Sequence, residues 1–211
     1  MIDWRNRSEA TALATEPASF KAPLFYSLIE RLDAQRRCVV LDLGAARTQT
    51  IALFSHYRCR LDIADLGESL QRLDDIDEAE QPEALPAMAE SLLPQRHGEA
   101  TDVVLCWDLL NYLDRPRLRA VMSRVAERAR PGALVHALIA YSRPNMPTAP
   151  GQFVPIDGDQ LSDTVPHPED RAAPRYSPDD LLRCMPGYAI ERAMLLRNGM
   201  QEFLFELQRH G

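Results

Sequence analysis

The run CVVLDLG, residues 38–44, decides the fold. Its valines and leucines follow one another without the polar alternation of a half-exposed strand, which is the pattern of a parallel strand covered on both faces. It is read as the first and central strand of an α/β sheet, with Gly44 opening a tight strand-to-helix turn. Downstream, Ile51, Ala52 and Phe54 give helical spacing from Thr48 to His56, and CRLDIADL (59–66) is a second strand ending in acid. Together these make a βαβ unit.

The same rhythm continues. TDVVLCWD (101–108) is another buried strand, and Leu118, Val121, Met122, Val125 and Ala129 form one helical stripe that Pro131 and Gly132 stop before the strand ALVHALIAY. Residues 67–83 are acidic and weakly periodic, predicting a helix and then a loop, with a short third strand near Ala84 to Ala89. The chain closes differently: residues 189–208 are two strand-like runs joined by Arg197, Asn198 and Gly199, and Asn-Gly suits a tight antiparallel turn. The expected architecture is α/β, a three-layer Rossmann-like sheet, mostly parallel with a C-terminal antiparallel hairpin, in a single domain over 1–211. A helix carrying Phe20, Leu24, Phe25, Leu28, Ile29 and Leu32 belongs to an N-terminal extension, 1–36. Residues 142–178 hold eight of the sixteen prolines and are expected to be a lid or an interface. Ser177, Pro178, Asp179 and Asp180 then mark a helix start.

Composition narrows the partners. With 211 residues, 45% apolar and 26% charged, the chain has the make-up of a packed globular protein. A net charge of -7 argues against nucleic acid as a substrate, because phosphate binding draws on clustered basic residues. No run of about 18 apolar residues occurs, so no membrane segment is expected, and with no secretory leader in MIDWRNRSEATALATEP the expected location is cytoplasmic. Cys38, Cys59, Cys106 and Cys184 are scattered without CxxC spacing, and no metal site is predicted.

VVLDLGAAR, TDVVLCWDLLNYL and ERARPGALVHALI, in this order and with the closing hairpin, resemble the class I S-adenosylmethionine-dependent methyltransferases over roughly residues 38–208. The resemblance implies S-adenosylmethionine as cofactor and methyl transfer to a small molecule. That family's acid and three glycines fall on Asp42, Gly44, Ala46 and Thr48, so one glycine remains of three. The resemblance further implies cofactor contacts from Asp42, Gly44, Ala46, Asp65 with the adjacent Leu66, Glu90, Ser91 and Trp107, with Asp62 an alternative to Asp65. Bases at the strand ends would be Asp108, His136 or Tyr141; substrate contacts would come from Asn111, Tyr112 and Arg143.

Each of these residues also has a plain structural reading. Asp42 would brace its turn, Asp65 would cap a helix, Trp107 and Tyr112 would be core aromatics, and His136 would be a satisfied core histidine. The Pro-rich segment serves equally as a substrate lid or as the docking surface of a homodimer or protein partner. The rival function is therefore a non-catalytic methyltransferase-like domain acting as a binding or assembly subunit.

Overall fold

The computed structural model describes residues 19–76, 83–156, 159–164, 168 and 171–208. In chain order the first elements are β1 (Ser19–Lys21), α1 (Pro23–Glu30), β2 (Cys38–Asp42), α2 (Thr48–Ser55), β3 (Cys59–Ile63), α3 (Leu66–Asp74) and α4 (Ala84–Leu92). They continue with β4 (Thr101–Trp107), a 3-10 turn (Leu109–Tyr112), α5 (Arg115–Ala126), β5 (Ala129–Ala140), β6 (Asn145–Met146) and β7 (Phe153–Pro155). The last are β8 (Gln160–Asp163), β9 (Arg171–Ala172), α6 (Pro178–Cys184), β10 (Tyr188–Leu195) and β11 (Met200–Leu207).

The main sheet is mixed, six strands in the order β10-β11-β5-β4-β2-β3. β3, β2, β4 and β5 run parallel. β11 lies antiparallel on β5, and β10 antiparallel on β11. Alternate residues of the central strands feed two cores. Val104, Cys106, Val135 and Ala137 meet residues of α3 to α6 on one face. Val103, Leu105, Leu138 and Leu204 meet α1, Phe54 of α2, Phe153 and Leu161 on the other. The helices begin where their caps dictate: the Asp114 side chain accepts from Arg117 N at 3.0 Å before α5, and Ser177 with Asp180 forms a reciprocal capping box before α6.

Four expectations are corrected. Residues 84–89 belong to helix α4 and not to a third strand, because Leu85, Ala89 and Leu92 share one face and enter the core with Leu73 and Leu118. Pro86 is tolerated in the first turn, where its missing N–H has no partner to lose. With no strand beyond β3 among the described residues, β2 stands second from the sheet edge and is not central. Phe20 lies in β1 and not in the leading helix: β1 pairs antiparallel with β8, Phe20 opposite Leu161, and β8 pairs with β7, so the N-terminal segment and the Pro-rich insertion share a three-stranded sheet. Pro131 and Gly132, expected to separate helix from strand, lie inside β5, where Gly132 takes φ +83°.

Among the described residues no helix is long and apolar enough to cross a membrane.

Candidate active site

The carboxyl ends of parallel strands are where an open α/β sheet leaves a crevice. Here a cavity of ≈ 380 Å³ opens there, lined by the turn after β2 (Leu43 to Arg47), by Asp65, Gly67 and Glu68, and by Cys106 to Leu109 at the end of β4 and just beyond it. Ala149, Pro150, Gly151 and Gln152 of the Pro-rich segment roof it.

The turn after β2 is held from below. Asp42, 1% exposed, accepts from Gly44 N at 2.9 Å and from Trp107 Nε1 at 2.7 Å. Burial pushes its carboxyl up to about 6, against the pull of those two donors and with help from nearby Asp65. The missing side chain of Gly44 serves Trp107: a Cβ there would meet Trp107 Cδ1 at 2.6 Å. Gly44→Ala is expected to destabilise the fold by about 1–3 kcal/mol, as overpacking does, since the indole is hemmed in by Phe25 and Phe153. A urea titration checks this; an unchanged midpoint would show that the indole gives way freely. Ala46 and Thr48, where the family pattern has glycine, are unstrained, because the non-glycine residues at positive φ are Asp65, Trp107 and Arg175 among those described. The turn is therefore relaxed with alanine and threonine at these positions.

Asp65 takes φ 47° at the N-terminus of α3, a conformation aspartate tolerates, and its side chain makes no capping bond to the helix. Its loop is tied to the first by Ala64 N donating to Asp42 O at 2.8 Å and Leu66 N to Leu43 O at 2.9 Å. Leu66 itself is fully buried in the core. Trp107 at φ 49° is strained for a bulky residue, and this turn brings Asp108 under the roof.

Asp108 is the link between sheet and roof. Both its oxygens lie 3.1 Å from Gly151 N, which donates to them. Burial raises its carboxyl to about 7, Asp163 adds to the rise, and the Gly151 N–H opposes it. The roof has further clamps. Tyr112 OH donates to Ala149 O at 2.7 Å with Pro147 O at 3.1 Å, Gln152 N donates to Asp163 Oδ1 at 3.0 Å, and Phe153 stacks on Trp107.

Gly44, Ala46, Asp65, Trp107 and Asp108 thus line one cavity, with Asp42 sealed directly behind it. Other expected site residues are placed elsewhere. Glu90 and Ser91 sit on α4, away from the strand ends: Glu90 pairs with Arg128 and Arg96, and Ser91 Oγ donates to Met88 O. Their misplacement follows from reading a helix as a strand. His136 lies inside β5 with no exposure, its Nε2 2.9 Å from Glu202 Oε1, so it faces the core and no cavity. Asn111 spends its amide on Asp108 O, Leu138 O and Ala140 N, pinning the 3-10 turn to β5 instead of facing a substrate. Tyr112 serves the roof, Arg143 Nε donates to Asn198 O at 2.6 Å in the hairpin turn, and Tyr141 stands 48% exposed outside the cavity lining.

Sequence reading missed Arg47, Glu68 and the roof residues Pro150 and Gln152. The Arg47 side chain makes no ion pair or hydrogen bond among the described residues, and its Nε is buried without a partner. It sits inside the expected glycine turn, so its position was available, but its isolation was not. A second hollow of ≈ 240 Å³ at the amino-terminal edge of the sheet is lined by Arg60, Asp62, Arg96, Glu99 and Arg128. Those charges pair with one another or with Glu90, and the hollow reads as a structural ion network.

The crystal structure of an S-adenosylmethionine-dependent methyltransferase from Clostridium acetobutylicum superposes with a TM-score of 0.51, at 13% identity over 88% of this chain and 89% of that one. The chain has a methyltransferase fold. A structure from work on the conversion of a disulfide bond into a thioacetal group during echinomycin biosynthesis matches with a TM-score of 0.50, at 16% identity over 93% of this chain and 88% of that one. Against the pyocyanin biosynthetic protein PhzM the TM-score is 0.48 at 14% identity, 88% of this chain is covered, and the chain spans only 54% of that protein. No family model and no curated protein matches the sequence.

Proposed function

We propose that this protein is an S-adenosylmethionine-dependent methyltransferase acting on a small molecule. The observation that carries the reading is the roofed cavity at the strand ends, in which Arg47 and Asp65 offer a cation and a carboxylate whose side chains have no partner among the described residues. Its ≈ 380 Å³ lies within the range of small-ligand sites. A buried guanidinium nitrogen without a partner is costly unless a ligand supplies one, and the carboxylate at the cofactor's amino-acid end would do so. Asp65 would accept from the two ribose hydroxyls. Gly44 and Ala46 would present backbone to the same ligand.

When bound, the cofactor supplies a methyl group already activated on a sulfonium. The chain's work is then to position and to exclude water. Pro150 and Gly151 close the cavity from above, held by Tyr112 and Asp108. Asp108, with a carboxyl raised to about 7, is able to take a proton from an acceptor near neutral pH. A cavity roofed by residues 149–152 favours a small acceptor, and gives the Pro-rich segment the role of lid.

Titrating the protein calorimetrically with S-adenosylhomocysteine tests this. Micromolar binding that disappears in Asp65→Ala is expected; no heat at millimolar ligand would overturn the assignment. One observation favours the non-catalytic reading: Asp42 is spent on Trp107 and Gly44 and does not reach the cavity. Binding of S-adenosylmethionine without its turnover by any of a panel of small amines, phenols and thiols would decide for that alternative.

A further inference from the structure

We propose that Cys38 and Cys59 form a redox dithiol that closes to a disulfide by exchange with a small anionic disulfide. The two residues are direct register partners on the parallel strands β2 and β3. Neighbouring strands lie about 4.8 Å apart, inside the Cα separation of about 4.4–6.8 Å that a disulfide spans. Both thiols are free, and each acts on the other's ionisation. Cys59 Sγ donates its hydrogen to Phe54 O at 3.2 Å, and Cys59 is half-buried where Cys38 is buried.

That asymmetry sorts the roles. Burial raises both thiols, pushing Cys38 up to about 11, and at Cys59 the neighbouring Cys38 opposes the rise. Cys59 is the more accessible of the two and lines a hollow of ≈ 350 Å³ whose other walls are Arg37, Tyr57, Arg58 and Arg60. Arg37 and Arg60 share Glu99, and Arg60 also holds Asp62, but Arg58 has no ion pair among the described residues. A thiol set among arginines is matched to a disulfide carrying carboxylates.

The exchange balances. The Cys59 thiolate attacks one sulfur of the small disulfide, the S–S bond breaks, and one thiolate leaves. Cys38, deprotonated, attacks Cys59 Sγ and expels the second thiolate as the Cys38–Cys59 bond forms. Two protein thiols lose two electrons, the small disulfide gains them, and the two thiol protons pass to the leaving thiolates. The cross-link sits at the amino ends of β2 and β3. The loops lining the proposed cofactor cavity are at the carboxyl ends, so the dithiol stands or falls apart from that reading.

The full chain, reduced and then incubated with glutathione disulfide at pH 8, is examined by intact mass and peptide mapping. The expected product has lost two hydrogens and carries a Cys38–Cys59 cross-link. Cys38→Ser should accumulate the glutathione adduct on Cys59, and Cys59→Ser should react at neither position. Glutathione disulfide should react about tenfold faster than the uncharged hydroxyethyl disulfide at low salt, an advantage lost in Arg58→Ala. A stable adduct on Cys59 in the unaltered chain, or modification of Cys106 or Cys184 first, would overturn the dithiol. Equal rates for the two disulfides would overturn recognition of an anionic reagent. Binding of S-adenosylhomocysteine, measured in the same Cys38→Ser and Cys59→Ser proteins, is expected to stay as in the parent, and its loss there would refute the separation of the two sites.

Discussion

Glu202→Ala is expected to lower the unfolding free energy by about 3–5 kcal/mol, read as a drop in the urea midpoint at unchanged slope. Glu202 has no exposure, and three donors converge on it: Leu24 N at 3.0 Å, Phe25 N at 2.8 Å and His136 Nε2 at 2.9 Å. The first two are N–H groups of the opening turn of α1, whose N-cap Ala22 has no side chain able to accept them. A carboxylate from β11 thus replaces the local cap and places negative charge at the positive end of the helix. Alanine would strand all three donors in the core, each at a cost of about 1–3 kcal/mol. Glu202→Gln keeps one acceptor oxygen and should lose roughly half as much. A shift below about 1 kcal/mol for alanine would mean that α1 finds other acceptors or water. The effect should reach the cavity, because Phe25 of α1 packs against Trp107, which braces the turn after β2.

Glu202 also shows what the sequence could and could not tell. CVVLD and TDVVLCW were legible as buried strands because burial on both faces leaves an unbroken apolar run. Which charged residue of MQEFLFEL would turn inward was not legible, since the demand for a carboxylate comes from a helix 178 residues away. The stretch from Ala84 illustrates a different limit. Its apolar residues fit a short strand or a helix, and contact with α5 decided for the helix. His136 was seen as a strand histidine near the site, but only the register against Leu204, beside Glu202, shows that it turns into the core. For the cavity, Gly44, Asp65 and Asp108 followed from their place after strands. The roof did not: prolines mark an irregular segment, whereas its seating depends on β1 pairing with β8 across about 140 positions. Trp107 was visible as a strand-end aromatic, yet its use of the space beside Gly44 could come only from packing.

Asp108→Asn is expected to stabilise the fold at pH 8 while abolishing most methyl transfer. The carboxyl is buried and raised to about 7 from its ordinary 3.8. Below pH 3.8 it is protonated both folded and unfolded, and contributes nothing to the difference. As pH rises from there to about 7, the unfolded chain releases the proton and the folded protein retains it, so stability falls through this window and then levels off. At about 1.4 kcal/mol per pH unit, the full interval corresponds to about 4 kcal/mol, an upper figure because the group borders a cavity. Asp42, raised to about 6, adds a fall of the same sign that ends earlier. Asparagine carries no proton to lose and still offers Gly151 N an acceptor oxygen, so the variant should keep only the part due to Asp42. Urea midpoints of both proteins between pH 4 and pH 8 measure this, and parallel curves would show that Asp108 is not held near neutrality. A carboxylate that weakens the fold at working pH costs stability of the kind that functional sites commonly give up. Under the proposed function it takes the acceptor's proton. An Asp108→Asn protein that is more stable at pH 8 and still transfers methyl groups at the parent rate would remove Asp108 from the chemistry and leave it as the latch of the roof.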